Sequence, residues 1–314
     1  MRAVVVGAGI AGLMAGRTLA RAGHEVIVLD KGTSVGGRMA TRRIGEATFD
    51  HGAQFFTVRT DAFAAHVHGW VQAGVVQVWC RGFDTADGHP RHVGTRGMSG
   101  VAKHVASGLD VRCGVTVQSV SRGPDGWRIA AREGLSLRAD VLVVTCPIPQ
   151  ARVLLEGAGV ALPEALATLE YDRTLALLVP LPASRGPFVL PPPGGLQHPD
   201  ATFSFIGDNG RKGISAAPAL TFHAGPAPSE ALWDASPEVQ LQTLLAAAAP
   251  YLGTAVPVGA QVKKWRYAMP RAGWPSPCWA SSEGTLVLAG DAFAGAKVEG
   301  AAGSGEHAAR TLLT

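Results

Sequence analysis

Residues 3 to 31, AVVVGAGIAGLMAGRTLARAGHEVIVLDK, constrain the fold more than any other stretch. Ala3 to Val6 is a short, wholly apolar run, which suits a central parallel strand buried on both faces. Gly7, Gly9 and Gly12 follow in the spacing G-x-G-x-x-G. The first glycine permits a tight turn, the second admits a pyrophosphate against the backbone, and the third lets the next helix pack onto the strand. Ile10 and Ala11 lie in that helix's first turn, where unpaired N–H groups and the dipole favour an anion. Gly23 and His24 close the helix, and Glu25 to Leu29 form a second strand ending at Asp30. An acid about 20 residues beyond the glycines is placed to grip a ribose hydroxyl. The strand, turn, helix and acid together predict a dinucleotide site, with Lys31 beside it.

Composition narrows the class. A chain of 314 residues is expected to form two joined lobes. Its net charge of +4 is scattered, without the Lys/Arg stripe of a nucleic-acid groove. Cys80, Cys113, Cys146 and Cys278 have no CxxC spacing, so neither a metal site nor a disulfide framework is expected. No apolar run is long enough to span a membrane, and the chain enters its first strand at once. The expectation is a cytoplasmic protein with a small-molecule substrate, no nucleic acid and no membrane.

Two later stretches specify the dinucleotide. VGGRMATRR, residues 35 to 43, follows the second strand, and VLAGDAFAGAKVEGAAGSGEHAARTLL, residues 287 to 313, ends the chain. The pair resembles the flavin-dependent amine oxidase superfamily. The resemblance implies a glutathione-reductase-type α/β FAD-binding Rossmann domain with an inserted antiparallel-sheet substrate domain. It places Gly37 and Arg38 along the pyrophosphate and flavin, Gly290 and Asp291 beside the pyrophosphate, and Val298, Glu299 and Ala301 at the start of a last helix aimed at the flavin. Val117 would lie near the adenine. With no Cys between 290 and 300, FAD is expected to be noncovalent; with no second G-x-G-x-x-G, a separate NADPH domain is not expected.

Between these ends, helices are expected near 60–73 and 97–107, and a strand pair from Val111–Val120 and Trp127–Ala131 turning at Gly123-Pro124-Asp125-Gly126. Ala139 to Val144 reads as one strand. Residues 151–257 are proline-rich, with strands at Thr174–Val179, Thr202–Ile206 and Ala219–His223 and a helix from about Pro237 to Tyr251. Val75–Cys80 is expected to join that second sheet. The predicted division assigns 1–57, 97–150 and 258–314 to the FAD-binding domain, and 58–96 and 151–257 to the substrate domain.

FDHGAQFFTVRTDAF (49–63), VGTRGMSGVAKHVA (93–106), DNGRKG (208–213), TFHA (221–224), KWRYAMPRAG (264–273) and GDAFAGAKVEGA (290–301) are similar to bacterial renalase-like flavoproteins. That resemblance implies an oxidase that takes hydride from dihydronicotinamide isomers of NAD(P), returns NAD(P)+ and passes electrons to molecular oxygen, giving hydrogen peroxide. Such a substrate loses no proton, so no general base is required. The resemblance places Gln54, Phe55, Phe56 and Thr57 along the flavin, and Asn209, Lys212 and His223 at the substrate pocket, with Gln54, Asn209, Lys212 and His223 as the catalytic candidates. Trp265, Arg266 and Tyr267 would form a pocket wall. Two loops depart from the pattern: Gly213 stands where those chains often have Pro, and Thr95-Arg96 where they have Lys-Pro. The alternatives are an amine oxidase, although residues 290–301 hold Phe293 and no Tyr or Trp, a carotenoid-type desaturase, and a flavin-binding sensor without catalysis.

Overall fold

The structure is a computed structural model that describes residues 1–83, 85, 87–185 and 189–314. The chain opens with β1 (Arg2–Val6), α1 (Ile10–Arg21) and β2 (Glu25–Asp30), then a hairpin of β3 (Thr41–Ile44) and β4 (Ala47–Asp50). Helix α2 (Asp61–Gln72) leads into a ribbon of β5 (Val76–Cys80) and β6 (Arg91–Gly94), followed by α3 (Met98–Ala106). Five short strands come next: β7 (Asp110–Cys113), β8 (Val117–Gly123), β9 (Gly126–Ala131), β10 (Ser136–Ala139) and β11 (Val141–Val144). Helices α4 (Ile148–Glu156) and α5 (Glu164–Ala167) precede β12 (Tyr171–Pro180), β13 (Gly195–Gln197), β14 (Phe203–Asp208) and β15 (Ala219–Ala224). The chain closes with α6 (Pro226–Ala231), α7 (Pro237–Leu252), β16 (Gln261–Pro270), β17 (Trp279–Ala280), β18 (Leu286–Leu288) and α8 (Val298–Thr311).

One sheet has the order β17-β18-β11-β1-β2-β7 and is parallel except for β17 at its edge. Ala3, Val4 and Val5 of the central strand have no exposed surface, as a continuous apolar run covered on both faces requires: α1, α3 and α8 lie on one face, and β8–β10 with α4 on the other. A second sheet, β13-β14-β15-β12-β16, is antiparallel throughout. One of its faces packs Leu175, Leu177, Leu220 and Phe222 against Leu244, Ala248 and Leu252 of α7. Alternation along β14 and β15 turns Phe205, Gly207, Thr221 and His223 to the opposite face, toward the end of β4.

Three expected strands are placed differently. Val111–Val120 is not one strand: β7 extends the parallel sheet beside β2, and β8 pairs with β9. The break is Gly114, at φ +74°, whose N–H donates to the Gly32 carbonyl. Ala139–Val144 is also split, because Asp140 leaves the β9–β10 pairing and exchanges hydrogen bonds with Arg2. Val76–Cys80 pairs with β6 as a separate ribbon and does not enter the five-stranded sheet. Packing also divides the chain differently from the expected boundaries. Phe63, Val67 and Trp70 of α2 join the core around α1, and β16 belongs to the second sheet.

The last helix returns to the first. A Cβ on Gly305 of α8 would lie 1.9 Å from the Ala11 carbonyl oxygen, and one on Gly12 would lie 1.9 Å from that of Gly7. Backbone therefore meets backbone where α8 crosses α1. Gly305→Ala is expected to lower unfolding free energy by at least the ~1–3 kcal/mol usual for overpacking, measured by urea denaturation. The same change at Gly303, where a Cβ meets nothing within 4 Å, should have little effect.

Candidate functional site

Two regions of the structure collect most of the residues singled out in the sequence. The first lies at the C-terminal end of the parallel sheet. Gly7 adopts φ +114°, which favours glycine, and Gly9 is the N-cap of α1. No side-chain cap serves that helix, so the N–H groups of Ile10, Ala11 and Gly12 keep their capacity for an outside acceptor. A Cβ on Gly9 would meet nothing within 4 Å, leaving room before the helix end. The GGR turn lies directly beside it: the Gly36 N–H donates to Ala8 O at 2.8 Å, and a Cβ on Gly37 would come within 3.4 Å of Gly9 Cα.

Asp30 ends β2 with its carboxylate accepting from Ala8 N–H at 2.6 Å and Gly32 N–H at 2.7 Å. Each oxygen retains a lone pair for a hydroxyl donor. The Arg38 guanidinium donates to both Asp291 oxygens, at 2.5 and 2.7 Å, and also to Tyr267 O and Ala268 O. This fork joins the GGR turn to the segment that follows β18. Gly290, at φ +146°, donates its N–H to Ser304 Oγ of α8. Helix α8 begins at N-cap Lys297 without a side-chain cap, and Ala301 packs into the core around α1. Two uncapped helix ends, an acid at the end of β2 and an open glycine cradle fit an FAD dinucleotide.

The second region surrounds the end of β4. Asp50 has no exposed surface. Its carboxylate accepts from Lys212 Nζ at 2.8 Å, Thr41 Oγ1 at 2.6 Å and Met98 N–H at 2.8 Å. Its carbonyl accepts from Gln54 Nε2 and Thr221 Oγ1, and its N–H donates to Asn209 Oδ1. Lys212 is equally enclosed; burial pulls its pKa down, and the Asp50 charge and hydrogen bond oppose that pull. Gly213, at φ +78°, lies in a conformation closed to proline, which explains the departure noted there.

His51 stacks on Trp265 with ring centroids 5.2 Å apart, and its carbonyl accepts from Trp265 Nε1 and lies 3.2 Å from His223 Nε2. Burial lowers the pKa of both histidines to about 4; nearby Lys263 adds to the effect at His51 and Lys212 at His223. Next to them Phe55, Trp79, Phe83 and Phe205 form a ring cluster with centroids 5.1 to 6.4 Å apart. Lys212 Nζ stands 5.5 Å from the Trp79 ring and the Arg91 guanidinium 5.8 Å from Phe83.

Other expected side chains are engaged in contacts of their own. The Phe56 ring is buried in the α2 core, stacked on His92 and edge-on to Phe63 and Trp70. The Glu299 carboxylate accepts from the N–H groups of Arg59 and Thr60 and from Thr60 Oγ1, tying α8 to the start of α2. Lys31 donates to Gln150, Val117 begins β8, and Val298 is partly buried against the α1 core. Sequence reasoning passed over Asp50, His51, Trp79, Phe83 and Phe205. An acid closing the apolar strand Ala47–Asp50, as Asp30 closes β2, was the available signal for Asp50; the aromatic cluster had none, since its members come from distant elements.

A family model for flavin-containing amine oxidoreductases matches residues 62–313, and one for NAD(P)-binding Rossmann-like domains matches 5–67. The chain belongs to the flavin-containing amine oxidoreductase family. It is an FAD-dependent oxidoreductase. Among curated proteins, the flavoenzyme is 55% identical over 42 residues to an L-amino acid oxidase from Cerastes cerastes, which is 13% of this chain and 8% of that one. It is 46% identical over 52 residues to a 4,4'-diapophytoene desaturase of Staphylococcus aureus, 17% of this chain and 10% of that one. These matches therefore span a small part of the relatives' length. The solved structure of putrescine oxidase bound to putrescine shares its fold with a TM-score of 0.71 at 15% identity, over 100% of this chain and 99% of that one. Cyclohexylamine oxidase from Brevibacterium oxydans does so at 0.70 and 14%, over 99% and 98%. Among the described residues no helix is long and apolar enough to cross a membrane.

The depressed histidines give the flavoenzyme a pH-dependent stability. Below about pH 6.5 the unfolded chain takes up protons that the folded chain refuses until about pH 4, so stability falls as pH drops through that window. Melting temperatures measured from pH 7.5 to 4.5 should decline, and His51→Phe should make the decline shallower.

Proposed function

We propose that the flavoenzyme oxidises a neutral, planar reduced ring, a dihydronicotinamide isomer of NAD(P), as a renalase-like oxidase. The observation that carries this reading is the character of the wall of aromatic rings beside residues 51–55. Four aromatic rings are flanked by two cations, Lys212 and Arg91. The buried carboxylates nearby are already occupied: Asp50 as described, and Asp208 by four backbone N–H groups, those of Val189, Leu190, Gly210 and Arg211. Aromatic faces suit a flat heterocycle. Among the described residues both cations are already paired, Lys212 with Asp50 and Arg91 with Asp87, so a protonated amine would find no free carboxylate there.

The same wall is poor in bases. A general base works best with a pKa near the operating pH, and the two imidazoles here are held near 4. Hydride loss from a dihydronicotinamide releases no proton, so the residues need only orient the ring and exclude water. Bound FAD would accept the hydride and pass its electrons to molecular oxygen, giving NAD(P)+ and hydrogen peroxide. Gln54 and Phe55 would border the flavin in this reading and His223 the substrate, with the enclosed Asn209 and Lys212 behind them. FAD would be held noncovalently by the residues around Gly9, Asp30, Arg38 and Asp291.

Anaerobic mixing of the FAD-loaded enzyme with borohydride-treated NAD+, which contains the dihydro isomers, tests the proposal. The isomer mixture should bleach the flavin within seconds, while ordinary NADH and a panel of primary amines should not. Bleaching by an amine, with none by the isomers, would overturn it.

A further inference from the structure

The hydrogen-bond chain from Asp50 to His223 has only one consistent arrangement of protons. Lys212 Nζ can only donate, and it lies 3.3 Å from Gln54 Oε1 as well as 2.8 Å from Asp50. The Gln54 amide is thereby fixed with Oε1 toward Lys212 and Nε2 on the far side. That nitrogen has two hydrogens, and two carbonyls take them: Asp50 O at 2.7 Å and Gly52 O at 3.1 Å. His223 Nε2 sits 3.4 Å from Gln54 Nε2 and 3.2 Å from His51 O. Both Gln54 hydrogens are committed and a carbonyl can only accept, so His223 Nε2 must carry the proton and donate it to His51 O.

A neutral imidazole protonated on Nε2 has a bare lone pair on Nδ1. Burial keeps His223 neutral well below physiological pH. Its Nδ1 has no hydrogen-bond partner among the described residues, yet it is not sealed from solvent, and the residue is partly exposed. His223 stands directly across from Phe205 on the neighbouring strand, so the two side chains share a face. Phe205 belongs to the aromatic cluster.

We propose that the His51 carbonyl, on a segment that Asp50 and Lys212 hold in place through Gln54, locks His223 in the Nε2-protonated tautomer, so that Nδ1 is a fixed acceptor on the face shared with Phe205 that selects a substrate bearing an in-plane N–H donor. Resting on the reading above, that donor is the carboxamide of the dihydronicotinamide. Asp50, Lys212 and Gln54 are positioning residues here, and His223 is the group that touches the substrate. The arrangement favours a ring carboxamide and disfavours a ring carboxylate, which offers only acceptors.

Two measurements on the FAD-loaded protein test this. The first is a two-bond 1H–15N histidine correlation spectrum at pH 7, with the His223 signals assigned by their loss in His223→Asn. A protonated Nε2 with a bare Nδ1 is expected, changing to mixed tautomers in Lys212→Met. If Lys212→Met does not fold, Gln54→Met serves the same purpose. An Nδ1-protonated wild type, or a tautomer unmoved in the variant that folds, overturns the relay. The second is titration of the oxidised flavin spectrum with nicotinamide and with nicotinate. Nicotinamide should bind about tenfold more tightly, the size expected for one buried hydrogen bond. His223→Phe should erase the preference, and His223→Asn, whose amide oxygen can take the place of Nδ1, should restore part of it. Equal binding, no binding of either, or a preference for nicotinate overturns the acceptor role. The reaction itself is judged separately by anaerobic bleaching.

Discussion

The buried ion pair between Asp50 and Lys212 joins the parts of this molecule that must cooperate. Asp50 ends a hairpin on the nucleotide side, and Lys212 lies in the turn after β14 on the other. Enclosing both charges is costly, and removing one partner from such a pair commonly costs ~3–5 kcal/mol because the other is left uncompensated. Packed hydrophobic residues would hold two sheets together as well or better. The pair is better understood through what it orders: the start of α3 through Met98, β3 through Thr41, β15 through Thr221, and the segment 51–54 through Gln54.

That segment runs between two surfaces with different tasks. On one side it approaches the glycine turns: Ala53 donates its N–H to Arg38 O, and a Cβ on Gly52 would lie 2.0 Å from the same oxygen. On the other it meets Trp265, His223 and the aromatic cluster. The Arg38–Asp291 fork and the close crossing of α1 and α8 bring two helix ends to the nucleotide side, where backbone N–H groups face an anion at little conformational cost. The nucleotide side is thus built largely from backbone and the substrate side from side chains. A family can keep the first while varying the second.

The same contrast explains what could be read in the sequence. The unit β1–α1–β2 and the helix α8 carry their reasons locally: an apolar run, glycines at fixed spacing, and an acid at the strand end. Strands β12, β14 and β15 and helix α7 were also legible, because each is longer than the turn signals around it. Val111–Val120 and Ala139–Val144 misled for a common reason. Each stretch serves two sheets, and the switch depends on a partner far away in the chain, Gly32 for one and Arg2 for the other. Asp50 stayed hidden because its partners span residues 41 to 221, and the aromatic cluster because it assembles Phe55, Trp79, Phe83 and Phe205 from three separate segments.

The most direct test of the account is a double-mutant cycle across the ion pair, with unfolding free energies measured by urea for wild type, Asp50→Asn, Lys212→Met and the double variant. The account predicts that each single change destabilises strongly and that the double variant loses clearly less than their sum, because the second substitution removes a charge the first left stranded. Additive losses would contradict it, and would mean that the two charges do not depend on one another.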